Sequence, residues 1–163
     1  MDLKDIMAIA GKPGLYKFVA QGRNAVIVEN IETGKRTSAF ATERINSLEE
    51  ITVFTTEKDK PLKEIFRAIY EHEKENEQET PSHKADKEVL KDFFEEVVPD
   101  YDRERVYLSD IKKILSWYHI LMNAGMLNFD EEEKKEKEET TDEPKEEKED
   151  QKTSAGGEKE EDA

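Results

Sequence analysis

The chain has 163 residues, no cysteine, and 41 acidic against 26 basic residues, a formal net charge of −15. Such a composition excludes disulfide and thiolate chemistry, and no apolar run approaches the roughly 20 residues that a membrane helix needs. Asp2 and Asp5 in a short apolar stretch do not make a signal peptide, so a soluble cytoplasmic protein with no membrane partner is expected.

Residues 1–56 hold seven charges of each sign and read as a small β module. Leu3, Ile6 and Ile9 with Ala10 form an apolar stripe at helical spacing. Asp2 suits its N-cap, Gly11 its left-handed end, and Pro13 prevents resumption, so a short N-terminal helix is predicted over 2–10. Strand-like runs follow at Leu15 to Ala20, Ala25 to Ile31, Arg36 to Ala41 and Ile51 to Thr55, with Ile45 and Leu48 plugging one end. Gly22-Arg23-Asn24 and Glu32-Thr33-Gly34-Lys35 tolerate positive φ and read as hairpin turns. Strands this short and this tightly turned curl into a strongly bent sheet or a barrel.

Residues 57–129 read as a three-helix domain. After the charged linker 57–60, Pro61 opens a helix with Leu62, Ile65, Phe66, Ile69 and Tyr70 on one face. A second stripe joins Val89, Leu90, Phe93, Phe94, Val97 and Val98. Ser109 caps a third helix bearing Ile111, Ile114, Leu115, Tyr118, Leu121 and Met122. Trp117 and Ile120 give that helix a second apolar side, which makes it the central one, and Met126, Leu127 and Phe129 form a closing hook.

From Asp130 onward there are 17 acidic and 7 basic residues and no Leu, Ile, Val, Met or aromatic residue. A segment without apolar surface cannot offset its ordering entropy, so 130–163 is expected to be a disordered acidic tail, with helix only fluctuating over Glu131 to Glu139. Such a tail solubilises the chain, or else competes with nucleic acid for basic residues elsewhere in the chain or docks a basic partner. The whole is α+β: a small, strongly bent sheet or barrel with a short N-terminal helix, a three-helix domain and the tail.

No motif carries a reaction. Gly11-Lys12-Pro13-Gly14 and Gly34-Lys35-Arg36-Thr37 lack the Gly-x-x-x-x-Gly-Lys-Ser/Thr pattern of a phosphate loop, since Ile6 and Glu29 stand where its first glycine belongs. Asp100-x-Asp102-x-Glu104 begins like a calcium loop, but Arg105 and Ile111 occupy its glycine and bidentate-glutamate positions. His72, His83 and His119 are too dispersed to ligate a metal or activate a nucleophile. A helix–turn–helix reading fails on charge, because the third helix offers only Lys112 and Lys113 to a phosphate backbone. No catalytic residue, metal or cofactor is therefore assigned. Lys17, Arg23, Lys35 and Arg36 interleave with Tyr16, Phe18 and Phe40, and small barrels pair such cations with stacking aromatics to bind single strands.

Several spaced motifs resemble an uncharacterised family of Bacteroidota proteins built of domains of unknown function. They are Leu3-Lys4-Asp5-Ile6, Gly11-Lys12-Pro13-Gly14-Leu15-Tyr16-Lys17, Val26-Ile27-Val28-Glu29, Thr33-Gly34-Lys35-Arg36, Leu48-Glu49-Glu50-Ile51 and Tyr107-Leu108-Ser109-Asp110-Ile111-Lys112-Lys113-Ile114-Leu115 with Trp117-Tyr118. The resemblance covers residues 1–129 and implies a bacterial cytoplasmic protein with a small β domain followed by a helical one. It transfers no site residue. The expected function is a non-enzymatic module for a protein partner. The alternative is a nucleic-acid- or ribosome-associated small barrel using Lys17, Arg23, Lys35 and Arg36. Periodicity leaves the oligomeric state open.

Overall fold

The structure, a computed structural model, describes residues 3–141, with side chains through residue 138. The chain divides into two compact units, Met1–Phe129 and Asp130–Ala163.

The first unit opens with a departure from the sequence reading. In place of a helix over 2–10 there is a 3-10 turn at Leu3–Asp5 and then strand β1, Ile6–Ile9; the Asp2 cap lies outside the described residues. Ile6 and Ala8 face a large core shared with the helices. Met7 and Ile9 face a second cluster with Tyr16, Val28 and Ala39. A strand buried on both faces places its two isoleucines three apart on opposite sides, and that spacing imitates a helical stripe.

Around β1 runs a five-stranded antiparallel sheet in the order β4-β3-β2-β1-β5, with β2 Tyr16–Gln21, β3 Ala25–Asn30, β4 Arg36–Phe40 and β5 Ile45–Ser47. The pairing of β2 with β3 slips between Phe18 and Ala20, leaving Val19 as a bulge that bends the sheet. Its two edges lie close together. Flat, they would stand about 19 Å apart. Yet only residues 41–44 join β4 to β5, and Glu43 N–H donates to Phe40 O at 2.9 Å to close a turn within them. That turn spans under about 7 Å, and two further residues add at most about 7 Å. One residue from each of the five strands, Ile9, Tyr16, Val28, Ala39 and Ile45, meets on the concave face. No ladder joins β4 to β5, so the sheet is strongly bent but not a closed barrel.

Ile51 to Thr55 does not extend this meander. Thr52–Val53 (β6) pairs instead with Lys60–Pro61 (β7), and Thr55 bridges to Tyr101. The helices follow their stripes: α1 Leu62–Asn76, α2 Lys87–Val97 and α3 Leu108–Asn123. Val89 is the exception, standing exposed, because Leu90, Phe93 and Phe94 already fill the buried face of α2. The cap of α3 falls two residues earlier than Ser109, at Tyr107, whose N–H donates to Asp110 Oδ2 at 2.9 Å. The apolar hook forms as expected, with Phe129 against Tyr70 at 5.4 Å between ring centroids.

The helix α4, Phe129–Thr141, begins at the last residue of the first unit and covers the stretch Glu131 to Glu139 for which the sequence suggests fluctuating helix. Acidic residues fill its first turn, and Glu131 and Glu133 each stand four residues before a lysine; both features favour helix without a core. The disorder expected of 142–163 lies outside the described residues.

Candidate functional site

Strand register fixes where the predicted cations stand. Ile6, Lys17, Glu29 and Arg36 pair in turn across β1, β2, β3 and β4, forming one row on the convex face. The helical core covers this row at Ile6 and leaves it bare from Lys17 onward. Arg36 Nε binds Glu29 Oε2 at 3.0 Å, so the row alternates in sign. Arg23 lies in the β2–β3 turn and Lys35 in the β3–β4 turn. They stand at opposite ends of the 6-residue β3, about 17–20 Å apart along the strand. The structure thus brings together Lys17 and Arg36, with Glu29 between them, and separates Arg23 from Lys35. Of the aromatics, Tyr16 is buried and Phe18 half-buried, whereas Phe40 is 54% exposed.

Phe40 shares the convex face with Ala25 and, diagonally, with the exposed Ile27. Because Ala25 O accepts the Gly22 N–H, Ala25 and Phe40 do not exchange hydrogen bonds. The Phe40 N–H donates to Glu43 Oε2 at 2.9 Å. By the alternation of an antiparallel ladder, Ser38 and Arg36 turn their N–H and C=O groups outward like Phe40. β4 is therefore a short open edge, capped at one end by Glu43. Lys12 Nζ lies 2.9 Å from the same carboxylate. That bond, together with the Phe40 N–H, holds the Glu43 carboxyl below its ordinary value.

The second feature is a cleft of about 600 Å³ between the turn Gly11–Gly14 and one face of α3. Lys12, His83, Lys112, Lys113, Ser116 and Trp117 line it, and no carboxylate does. Sequence reasoning treated these residues separately, because 105 positions separate Lys12 from Trp117 and no periodicity links them. The turn glycines are structural, with φ of 80° at Gly11 and 84° at Gly14.

The remaining candidates are engaged elsewhere. Asp100 pairs with Lys60 at 2.9 Å, while Asp102 binds Arg105 Nε at 2.9 Å, so the two carboxylates do not share a site. His72 Nε2 meets Glu96 at 3.2 Å and its ring stands edge-on to Phe93; His119 Nε2 lies 3.1 Å from Pro81 O.

Residues 3–48 match a family described as domain of unknown function DUF5606, and residues 51–121 match one described as domain of unknown function DUF6852. A solution NMR structure of a structural-genomics target from Bacteroides vulgatus is 44% identical, with a TM-score of 0.64, covering 78% of this chain and 91% of that one. The chain belongs to this DUF5606–DUF6852 family. No curated protein matches it. The resemblance read from the spaced motifs holds, and neither family description names an activity. Among the described residues, no helix is long and apolar enough to cross a membrane.

Proposed function

We propose that this DUF5606–DUF6852 protein is a non-enzymatic interaction module that takes an extended segment of a protein partner along the free edge of β4. The observation that carries this reading is the pairing of outward main-chain groups at Arg36 and Ser38 with the exposed Phe40 and Ile27 beside them. Only another extended backbone offers donors and acceptors at that spacing, and alternate apolar side chains on it would lie over Phe40. A nucleic-acid strand finds less here. The cation of Arg36 is held by Glu29, Lys17 borders the same carboxylate, and a phosphate backbone needs cations in excess.

Affinity capture from native cells, with and without nuclease, tests the reading. Ser38→Pro removes one outward N–H at a place where an edge strand tolerates proline, and Phe40→Glu replaces the apolar anchor by a charge. A protein captured despite nuclease and lost with both variants supports the proposal. Capture that nuclease abolishes, or that neither variant weakens, overturns it.

A further inference from the structure

We propose that the cleft between the Gly11–Gly14 turn and α3 binds a nucleoside phosphate, with the phosphate among Lys12, Lys112 and Lys113 and the base on Trp117. This goes beyond the β4 edge and does not depend on it. Acidic residues outnumber basic ones 41 to 26 in the chain, yet those lining the cleft include three lysines and a histidine and no carboxylate. Lys12 is held by Glu43 just outside the lining, so the uncompensated positive charge of the wall is that of Lys112 and Lys113, and such charge in a concavity attracts a counter-ion. Lys112, Lys113 and His83 have no ion-pair partner among the described residues, whereas Lys12, Lys60 and Arg36 each have one.

The cations come from different parts of the chain, and the α3 residues share one helix face. Ser116 follows Lys112 by four positions and Trp117 follows Lys113 by four, so all four side chains line the cleft within one and a half turns. Lysine is a compact point charge suited to phosphate oxygens, and the Ser116 hydroxyl adds a neutral donor. Trp117 is half-buried and packs against the large core, which holds its ring in place while its free side borders the cleft. A fixed indole face stacks bases of any identity. The volume of about 600 Å³ falls in the range of small-ligand sites. The turn is not a phosphate loop of the Gly-Lys-Ser/Thr kind; it contributes the Lys12 side chain and a wall.

Trp117 is the chain's single tryptophan and borders both this cleft and a smaller pocket lined by Phe54, Arg105 and Asp110, so the Lys112/Lys113 variant below is needed to assign a change in its emission to the cleft. The purified full chain is titrated with ADP, with adenosine, with inorganic phosphate and with a short single-stranded oligonucleotide, excited at the red edge of indole absorption. ADP should quench Trp117 saturably. Adenosine and inorganic phosphate, each lacking half of the contacts, should bind at least about tenfold more weakly. Lys112→Glu/Lys113→Glu, at two exposed positions, should weaken ADP by about tenfold or more, while Phe40→Glu should leave it unchanged. The absence of saturable quenching up to about 5 mM ADP, an unaffected double variant, phosphate binding as tightly as ADP, or an oligonucleotide binding far more tightly than ADP would each overturn the proposal. Circular dichroism of the double variant separates lost binding from lost folding.

Discussion

Tyr118 shows how one side chain can set a pH limit. Its ring is 1% exposed, and its hydroxyl donates to Glu73 Oε2 at 2.7 Å, while Glu73 Oε1 accepts the Thr80 N–H at 2.9 Å. Burial first, and the Glu73 carboxylate second, push the phenol far above its ordinary value. The unfolded chain can release this proton near pH 10 and the folded chain cannot, so stability present at neutral pH is lost as pH rises past about 10. Tyr118→Phe should cost about 1–3 kcal/mol in urea unfolding at pH 7, and that cost should shrink at pH 11. An undiminished gap at pH 11 would refute the assignment. Asp100 works at the opposite end of the scale. The hydrogen bond from Lys60 holds its carboxyl below the usual range, so its contribution is present above about pH 4 and lost as pH falls through the folded value. Both partners are about a third exposed, with side chains at 38% and 34%, and water screens them; Asp100→Asn should cost at most about 1 kcal/mol at pH 7. Once the pH falls below the lowered folded value, variant and parent should unfold alike.

At the scale of elements, what was legible depended on whether an element buries one side or two. α1 and α2 bury one stripe against polar neighbours, and Leu62, Ile65, Phe66 and Ile69 could be named from spacing alone. β1 buries both faces, and its pattern reads as helix until the partners Tyr16, Lys17 and Ile45 are known. β5 escaped notice because three residues are too few to display alternation. The β4 edge was half visible. Phe40 and Arg36 stood out as residue types, but exposure and the open edge follow from β5 joining β1 rather than β4. The two-sidedness of β1 has a measurable consequence. Ile6 is 1% exposed and Ile9 3%, in separate clusters. Ile6→Ala and Ile9→Ala should each cost about 2–5 kcal/mol. Sharing no cluster, they should add to within about 0.5 kcal/mol in the double variant. A strong coupling between them would mean that the two residues share one face after all, as a helix would have it.

Across the whole first unit, the boundary between the two family matches falls at residues 48–51, in the interior of a shared core. Leu48 is fully buried in the cluster that holds Leu62, Phe66, Leu115 and Tyr118; Leu3, Ile6 and Leu15 join it from the β side. The main chain is tied at the same boundary. The Leu62 N–H donates to Ile51 O at 2.9 Å, fastening the boundary segment to the start of α1. Cutting there would expose apolar surface on both halves, at about 25 cal/mol for each Å² uncovered. Residues 1–129 should therefore unfold as one body despite carrying two family signatures. Native-state amide exchange checks this directly. Val28 in β3 and Leu115 in α3 should open with free energies within about 1 kcal/mol of each other. Residues 1–50 expressed alone should show no cooperative urea transition, because Leu3, Ile6, Leu15 and Leu48 would face water. If Val28 opened at a far lower free energy than Leu115, the sheet would be a separate unit from the helices; if the 1–50 fragment melted cooperatively, the concave cluster around Tyr16, Val28 and Ala39 would be sufficient as a core by itself. The helices would then serve the cleft and not the sheet.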